Sequence, residues 1–335
     1  MANYTTVADL VDDVLFRAGE IKTAASDSGS DYYTAVLRYL NRAYQAIWTG
    51  GGELLPDISE QWWWLKKYGN GVLTLLPVFD NGTVTVTNND ANINFSGIPT
   101  RSSSNISLED WHFKVDNHAD VFRIDNHTIA GTPAFLDSVY TGESDTAASF
   151  RAFKIDYALA SDVMELDSPM FAFQGGLKGN RIEILAEETL REKWPMEQIN
   201  PGCPHNFSLI ALNAALRTVR FSHYGGTSDT ELIRIDYSYL ARPSDLTDAA
   251  TEPAMPREHR KLLADWALVF VLQDKEDSRV AETVELASRG LKAMALENQR
   301  RGPRQSGAFG RIHTRQSQRA RIKGPLRTSS GLIIA

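Results

Sequence analysis

Apolar side chains recur at helical spacing toward both ends of this chain and alternate at a spacing of two through its middle. Val7, Leu10, Val11, Val14, Leu15 and Ala18 fall on one helical face, and Thr6 with Asp9 three residues on forms a capping pattern at its start. A second helix is predicted from Asp31 to Trp48, burying Val36, Leu37, Leu40, Tyr44, Ile47 and Trp48. The polar TAASDSGSD between them is loop chemistry, so the pair reads as a helical hairpin.

Beyond Gly71 the period changes. Thr83-Val84-Thr85-Val86-Thr87 alternates strictly behind the turn residues Asp80-Asn81-Gly82. Strand-like runs come after it at Ile93–Phe95, Trp111–Asp116, Val121–Asp125, Pro133–Leu136 and Phe150–Tyr157, which predicts a small all-β barrel or sandwich. Arg181–Leu185, Phe207–Leu212, Arg217–Ser222 and Leu232–Leu240 read as a second antiparallel sheet, with a short helix around Glu187–Trp194. Pro253 and Pro256 then open a helix at its first turn, continued by Leu262, Leu263, Trp266, Val269 and Phe270. A last helix, Ser278–Arg300, presents Val280, Val284, Leu291 and Met294. The remaining residues, to Ala335, have no helical period and read as a flexible arm.

The fold class expected is α+β. N- and C-terminal helices form a helical core, into which antiparallel β barrel or sandwich domains are inserted, and an extended C-terminal arm completes the chain. The parts are 1–70 (N-terminal helices), 71–160 (inserted all-β domain), 161–250 (second antiparallel region), 251–300 (C-terminal helices completing the core) and 301–335 (basic arm). Four helices bury their apolar faces only by packing on one another or on neighbouring subunits, so self-assembly is expected.

Charge sharpens the division. The net charge of −7 hides nine Lys or Arg and no acidic residue from Gln299 onward, which leaves 26 basic and 42 acidic groups in residues 1–298, a net of −16. An acidic body carries a basic arm whose 37 residues span at most about 120 Å. Its cations suit an acidic protein surface or nucleic-acid phosphates, and Leu332, Ile333 and Ile334 read as an apolar plug or added strand for a partner's groove. The lone Cys203 excludes an internal disulfide and a multi-thiolate zinc site, as expected in a reducing cytoplasm. Nothing resembles a signal peptide and no apolar run is long enough to span a membrane, so export and membrane insertion are not expected.

Candidate chemistry is sparse. P-loop, GxGxxG, GxSxG, HExxH and paired CxxC patterns are all missing. Cys203 and His205 in Pro-Gly-Cys-Pro-His form a nominal nucleophile and base, but flanking prolines favour a rigid turn. Phe113–His127, FKVDNHADVFRIDNH, places Asp116, His118, Asp120, Asp125 and His127 within fifteen residues. Related wording at Phe153–Tyr157 and Ile233–Tyr237 lacks the histidine, so what repeats is strand alternation. A hairpin turning at Asn117–Asp120, with Lys114 opposite Arg123 and Phe113 and Val115 sharing a face with Phe122 and Ile124, holds the histidines too far apart for one metal. No metal, cofactor or catalytic residue is assigned. Trp62, Trp63 and Trp64 cannot all face one core. One or two are expected in the helical core with the remainder under the β unit, and they also form a candidate subunit interface, with a sugar-stacking platform ranked last.

The run Ile235–Asp248, continued by Glu252–Ala267, resembles the head-to-tail connector proteins of tailed bacteriophages, also called adaptor or head-completion proteins. Tyr39–Tyr44, Trp62–Lys67 and Tyr140–Gly142 carry the same resemblance, which therefore touches most of the chain. It implies a non-enzymatic virion protein, assembled in the host cytoplasm as a homo-oligomeric ring, typically of twelve copies, beneath the portal protein. The ring would join head to tail, form part of the DNA channel with transient contact to the genome, and meet tail, nozzle or fibre proteins, with no membrane partner. The arm, through Arg300, Arg301, Arg304, Arg311, Arg315, Arg319, Arg321, Lys323, Arg327 and the terminal Leu332, Ile333 and Ile334, would climb onto the portal. The alternative is a nucleic-acid-binding virion protein whose basic arm holds the genome end. The chain departs from the smaller, nearly all-helical adaptors in its β content.

Overall fold

In a computed structural model, the residues described are 4–19, 31–58, 60–101, 104–129, 131–174, 179–213, 216–226, 232–247 and 249–301. They form an α+β protein with five α-helices among them: α1 (Val7–Arg17), α2 (Asp31–Trp48), α3 (Glu187–Lys193), α4 (Lys261–Asp274) and α5 (Val280–Arg301). The chain divides into two compact units, one drawn from 1–65 and from 243 onward, the other from Lys66–Arg242.

The helical unit is organised around α4. Every residue from Leu262 to Leu272 is buried, all of them apolar but Asp265, which marks a helix covered all round and hence central. α1, α2 and α5 all pack on it. α1 buries Val7, Leu10, Val11, Val14 and Leu15 as its spacing predicts, and the capping box closes with Thr6 N–H donating to Asp9 Oδ2 at 2.9 Å. α4 has no such cap. Its approach is fixed instead by the buried Arg260, whose guanidinium donates to the carbonyls of Met255 at 3.0 Å, Pro253 at 2.9 Å and Thr5 at 2.6 Å. Thr5 precedes α1, so one arginine ties the two sequence-distant halves of this unit together. Arg17 adds an ion pair to the buried Asp265 at 2.6 Å, and Asn41 of α2 both donates to and accepts from the Leu246 backbone.

The second unit holds two seven-stranded sheets and a two-stranded ribbon. It opens with β1 (Lys66–Leu75), then β2 (Val84–Val86), β3 (Asn92–Phe95) and a ribbon of β4 (Thr100–Arg101) and β5 (Ser104–Asn105). β6 (His112–Val115), β7 (Phe122–His127) and β8 (Pro133–Leu136) form a meander. β9 (Asp145–Ala148) and β10 (Phe150–Phe153) come next, then β11 (Asp156–Ala158), β12 (Val163–Gln174) and β13 (Asn180–Ile184). After α3 come β14 (Asn206–Asn213), β15 (Leu216–Phe221) and β16 (Ile233–Ala241).

One sheet has the order β10-β6-β7-β8-β3-β2-β9. Its two outermost strands, β9 and β10, are joined by the single residue Ser149, so the sheet closes on itself as a small barrel. Its interior is aromatic: Phe95, Phe113 and Phe150 lie within 6.4 Å of one another, centroid to centroid. The other sheet has the order β1-β16-β12-β13-β14-β15-β11 and is antiparallel except at β13–β14. All seven strands feed one cluster, including Leu75, Tyr157, Met170, Ile182, Phe207, Phe221 and Tyr237, so this sheet is rolled around its own core. The Tyr157 hydroxyl accepts from Leu76 N–H at 2.8 Å, drawing β11 to the end of β1.

Several expectations need correction. The boundary at 71–160 is misplaced, because β1 and β11 belong to the rolled sheet, where they pair with β16 and β15, and only the stretch between them builds the small barrel. Phe150–Tyr157 reads as one strand by alternation, yet it is two, and the chain crosses between sheets at Lys154-Ile155. β1 is hidden in the sequence by Gly69-Asn70-Gly71, which looks like a turn. The strand accommodates it with a bulge between Lys67 and Gly71 and Gly69 at φ +62°. β12 escapes the alternation pattern because Asp167-Ser168-Pro169 interrupts it, at a second bulge. The β6–β7 hairpin sets Phe113 opposite Phe122 and His112 opposite Arg123, two residues along from the expected register. A slip of two preserves every face, so Phe113, Val115, Phe122 and Ile124 are all buried as expected. Lys114 instead faces Arg151 of β10, and Asp116 accepts from Arg151 at 3.0 Å, offsetting that repulsion.

Candidate functional site

Two polar constellations stand out, one in each unit. In the helical unit, the C-terminal end of α5 is bound to the tryptophan segment. The buried Asn298 donates to Glu60 Oε2 at 2.6 Å and to the Gln61 carbonyl at 3.0 Å, and accepts from Trp63 N–H at 2.9 Å. One turn further, Arg301 lies over the Trp63 ring at 4.8 Å and pairs with Glu297 at 2.5 Å and Glu258 at 3.5 Å. His259 Nε2 lies 3.0 Å from Glu297, and its ring meets Trp63 edge-on at 5.7 Å. Glu258, His259 and Glu297 are the one group among the described residues with three metal-ligating atoms within 4.8 Å. A divalent ion there would have to displace the Arg301 guanidinium, which already serves both carboxylates as counter-cation.

The tryptophans therefore divide differently from expectation. All three belong to the helical unit. Trp62 is fully buried and its indole N–H donates to the Ile47 carbonyl, so it has no surface left for a neighbouring subunit or a sugar. Trp63 carries Arg301, and Trp64 stacks on Tyr44 at 6.3 Å with planes 8° apart. Of the predicted arm, Arg300 is exposed and Arg301 is engaged within its own chain. Arg304, Arg311, Arg315, Arg319, Arg321, Lys323, Arg327, Leu332, Ile333 and Ile334 lie outside the described residues.

In the barrel unit, Asp156 of β11 receives two hydrogen bonds of 2.8 Å from Arg220 of β15 and lies 3.1 Å from His112 Nε2 of β6. All three are shielded, His112 and Asp156 at 5% exposure each. Burial pushes the Asp156 carboxyl up, but the hydrogen bonds from Arg220 and His112 outweigh it and bring the carboxyl down to about 2. With no open face for a substrate, this trio acts as an ionic latch between the small barrel and the rolled sheet. Phe153 stacked on Tyr224 at 4.8 Å, with Val78, Ile155 and Ile199, forms the apolar half of the same junction.

The histidine-rich stretch is dispersed. His118 sits beyond Asn117, which takes a left-handed φ of +66°, and packs against Tyr140 at 5.3 Å and Phe122 at 6.3 Å. His127 is buried at the far end of β7, where its Nδ1 accepts from Leu108 N–H at 3.1 Å. Asp116 serves Arg151, and Asp120 accepts from the Thr141 hydroxyl. Nor do Cys203 and His205 form a pair: the Cys203 thiol accepts from Asn180 at 3.6 Å, while His205 packs edge-on against His223 at 5.3 Å.

Sequence reading misses His112, Asp156 and Arg220. Asp156 is legible as the charged, outward position of Phe153-Lys154-Ile155-Asp156-Tyr157. Nothing in that alternation says that a second sheet covers the outward face.

The fold and its two constellations define an α+β protein of two units, one of them helical and the other built from two β-sheets. No protein-family model matches the chain, and no curated protein matches it in sequence.

Proposed function

We propose that the chain is a non-enzymatic structural protein of a tailed-phage virion, a head-to-tail connector whose copies form a ring beneath the portal. The observation that carries this reading is the helical unit itself, gathered from both ends of the described chain around α4, while Lys66–Arg242 folds separately between them. Helices of that unit would build the ring, of twelve copies on the resemblance, and the barrel unit would face tail, nozzle or fibre proteins. The acidic balance of residues 1–298, net −16, suits a channel wall that repels DNA phosphates and lets the genome slide. α5 leads directly into the basic stretch, with Arg301 anchored on Trp63 as its base. The virion is the expected location, and no helix among the described residues is long and apolar enough to cross a membrane.

Negative-stain imaging of the purified protein mixed with portal particles tests this. Rings with an axial hole seated on the portal are expected, and dispersed single copies would overturn it. DNA affinity that falls steeply with salt, at a slope near −0.9 per phosphate neutralised, would favour instead a basic arm that holds the genome end.

A further inference from the structure

Two Asn-Gly steps occur in the barrel unit, Asn70-Gly71 and Asn81-Gly82, and the fold treats them differently. Asn81 is exposed in the turn ahead of β2, next to the exposed Asp80. Gly82 takes a φ of +86°, and among the described residues neither its amide nor the Asn81 side chain has a hydrogen-bond partner. Ordered pairing begins one residue later, where Thr83 N–H donates to Ser96 Oγ at 2.9 Å and Ser96 N–H to the Thr83 carbonyl at 2.8 Å.

We propose that Asn81 is a site of spontaneous deamidation. The Gly82 amide nitrogen attacks Asn81 Cγ, forming an N–C bond and closing a five-membered succinimide. The side-chain nitrogen leaves as ammonia, carrying off the proton that the Gly82 amide gives up. Water then opens the ring at either carbonyl, giving aspartate or isoaspartate, so one water is consumed, one ammonia is released and no electrons change hands. A glycine after the asparagine leaves the attacking nitrogen without a flanking Cβ, and the exposed turn lets the side chain swing onto it.

The Asn70-Gly71 step has the same sequence chemistry, but its attacking residue Gly71 is buried where Gly82 is exposed. Gly71 is paired with Tyr237 inside β1, and a Cβ built on it would meet the Tyr237 ring at 2.2 Å. The Gly71 amide cannot turn to attack without pulling Gly71 away from Tyr237 and opening the strand pairing.

The modification matters for the barrel. It adds a negative charge beside Asp80, and the isoaspartyl form inserts an extra main-chain carbon just ahead of β2. Val84 of that strand pairs with both Phe95 and Ala148, on its two sides.

Folded full-length protein held at mildly alkaline pH, with fragment mass spectrometry to locate the products, tests the proposal. The expected result is aspartate and isoaspartate at position 81 while Asn70 stays intact, with both positions converting in urea. Equal conversion at 70 and 81 in the folded protein overturns it, as does an unreacted Asn81 under conditions where the unfolded chain reacts. Asn81→Gln, which would need a slower six-membered closure, is expected to abolish the acidic shift on isoelectric focusing, and a persisting shift counts against the assignment.

Discussion

Arg220 holds both carboxylate oxygens of Asp156 at 2.8 Å, and the two residues face His112 from the strand pair β11–β15. An aspartate in this position is stabilising only while its partners remain. Removing the arginine strands a buried carboxylate, at a cost of about 3 kcal/mol. Arg220→Met is therefore expected to lower the urea midpoint strongly, and adding Asp156→Asn should recover part of the loss. A neutral Arg220→Met would dismiss the latch.

The same carboxylate sets an acid limit. Its folded value of about 2 lies below the ordinary 3.8, so its contribution is complete above 3.8 and is lost as pH falls through about 2. That contribution is roughly 2 kcal/mol. Urea unfolding between pH 5 and pH 2 (roughly the span over which such a carboxylate titrates) should steepen for wild type and flatten for the Arg220→Met, Asp156→Asn pair.

Histidines give a second, milder dependence. Burial holds His127 below 6.5, and burial with the neighbouring His205 does the same for His223. The unfolded chain takes up those protons first, so stability is expected to fall as pH drops below 6.5. His127→Asn, whose amide oxygen can still accept from Leu108 N–H, should remove part of that slope, and an unchanged slope would exonerate His127.

Gly71→Ala drives a methyl into the Tyr237 ring, for which we expect a loss of about 2 kcal/mol. Gly97→Ala, where a Cβ meets nothing within 4 Å, should stay within roughly 0.5 kcal/mol. Thermal melts of the two variants compare a packed with an open glycine, and equal melting points would contradict the packing assigned to β1.

Truncation should respect the end of α5 and not cut into it. Ending the chain after Arg301 keeps the pairs with Glu297 and Glu258 and the stacking on Trp63. Such a protein is expected to retain the wild-type circular dichroism and melting point while losing portal association in co-sedimentation. Continued association would show that the basic stretch is not the docking element.

Much of the helical unit is legible in the sequence because its signals are local. Thr6 and Asp9 mark the start of α1, and α2 spans Asp31–Trp48 as its period predicts. Strands such as Pro133–Leu136 are equally plain. The failures come where long-range pairing overrides local chemistry. Gly69-Asn70-Gly71 looks like a turn until Tyr237 is placed against Gly71, and Asp156 looks like a surface charge until His112 covers it. Trp62, Trp63 and Trp64 are legible as unusual, but the place of Trp63 at the end of α5 is set through Asn298, 235 residues away.

Phe79 and Ala152, where the chain passes into and out of the small barrel, exchange two backbone hydrogen bonds of 2.7 Å. With Ser149 completing its circumference, the small barrel brings its own ends together and so closes the longest loop in the rolled sheet. That sheet in turn occupies the interval between the two halves of the helical unit. The chain is nested like brackets, so assembly from the inside outward lets each layer inherit a short connection where the sequence has a long one.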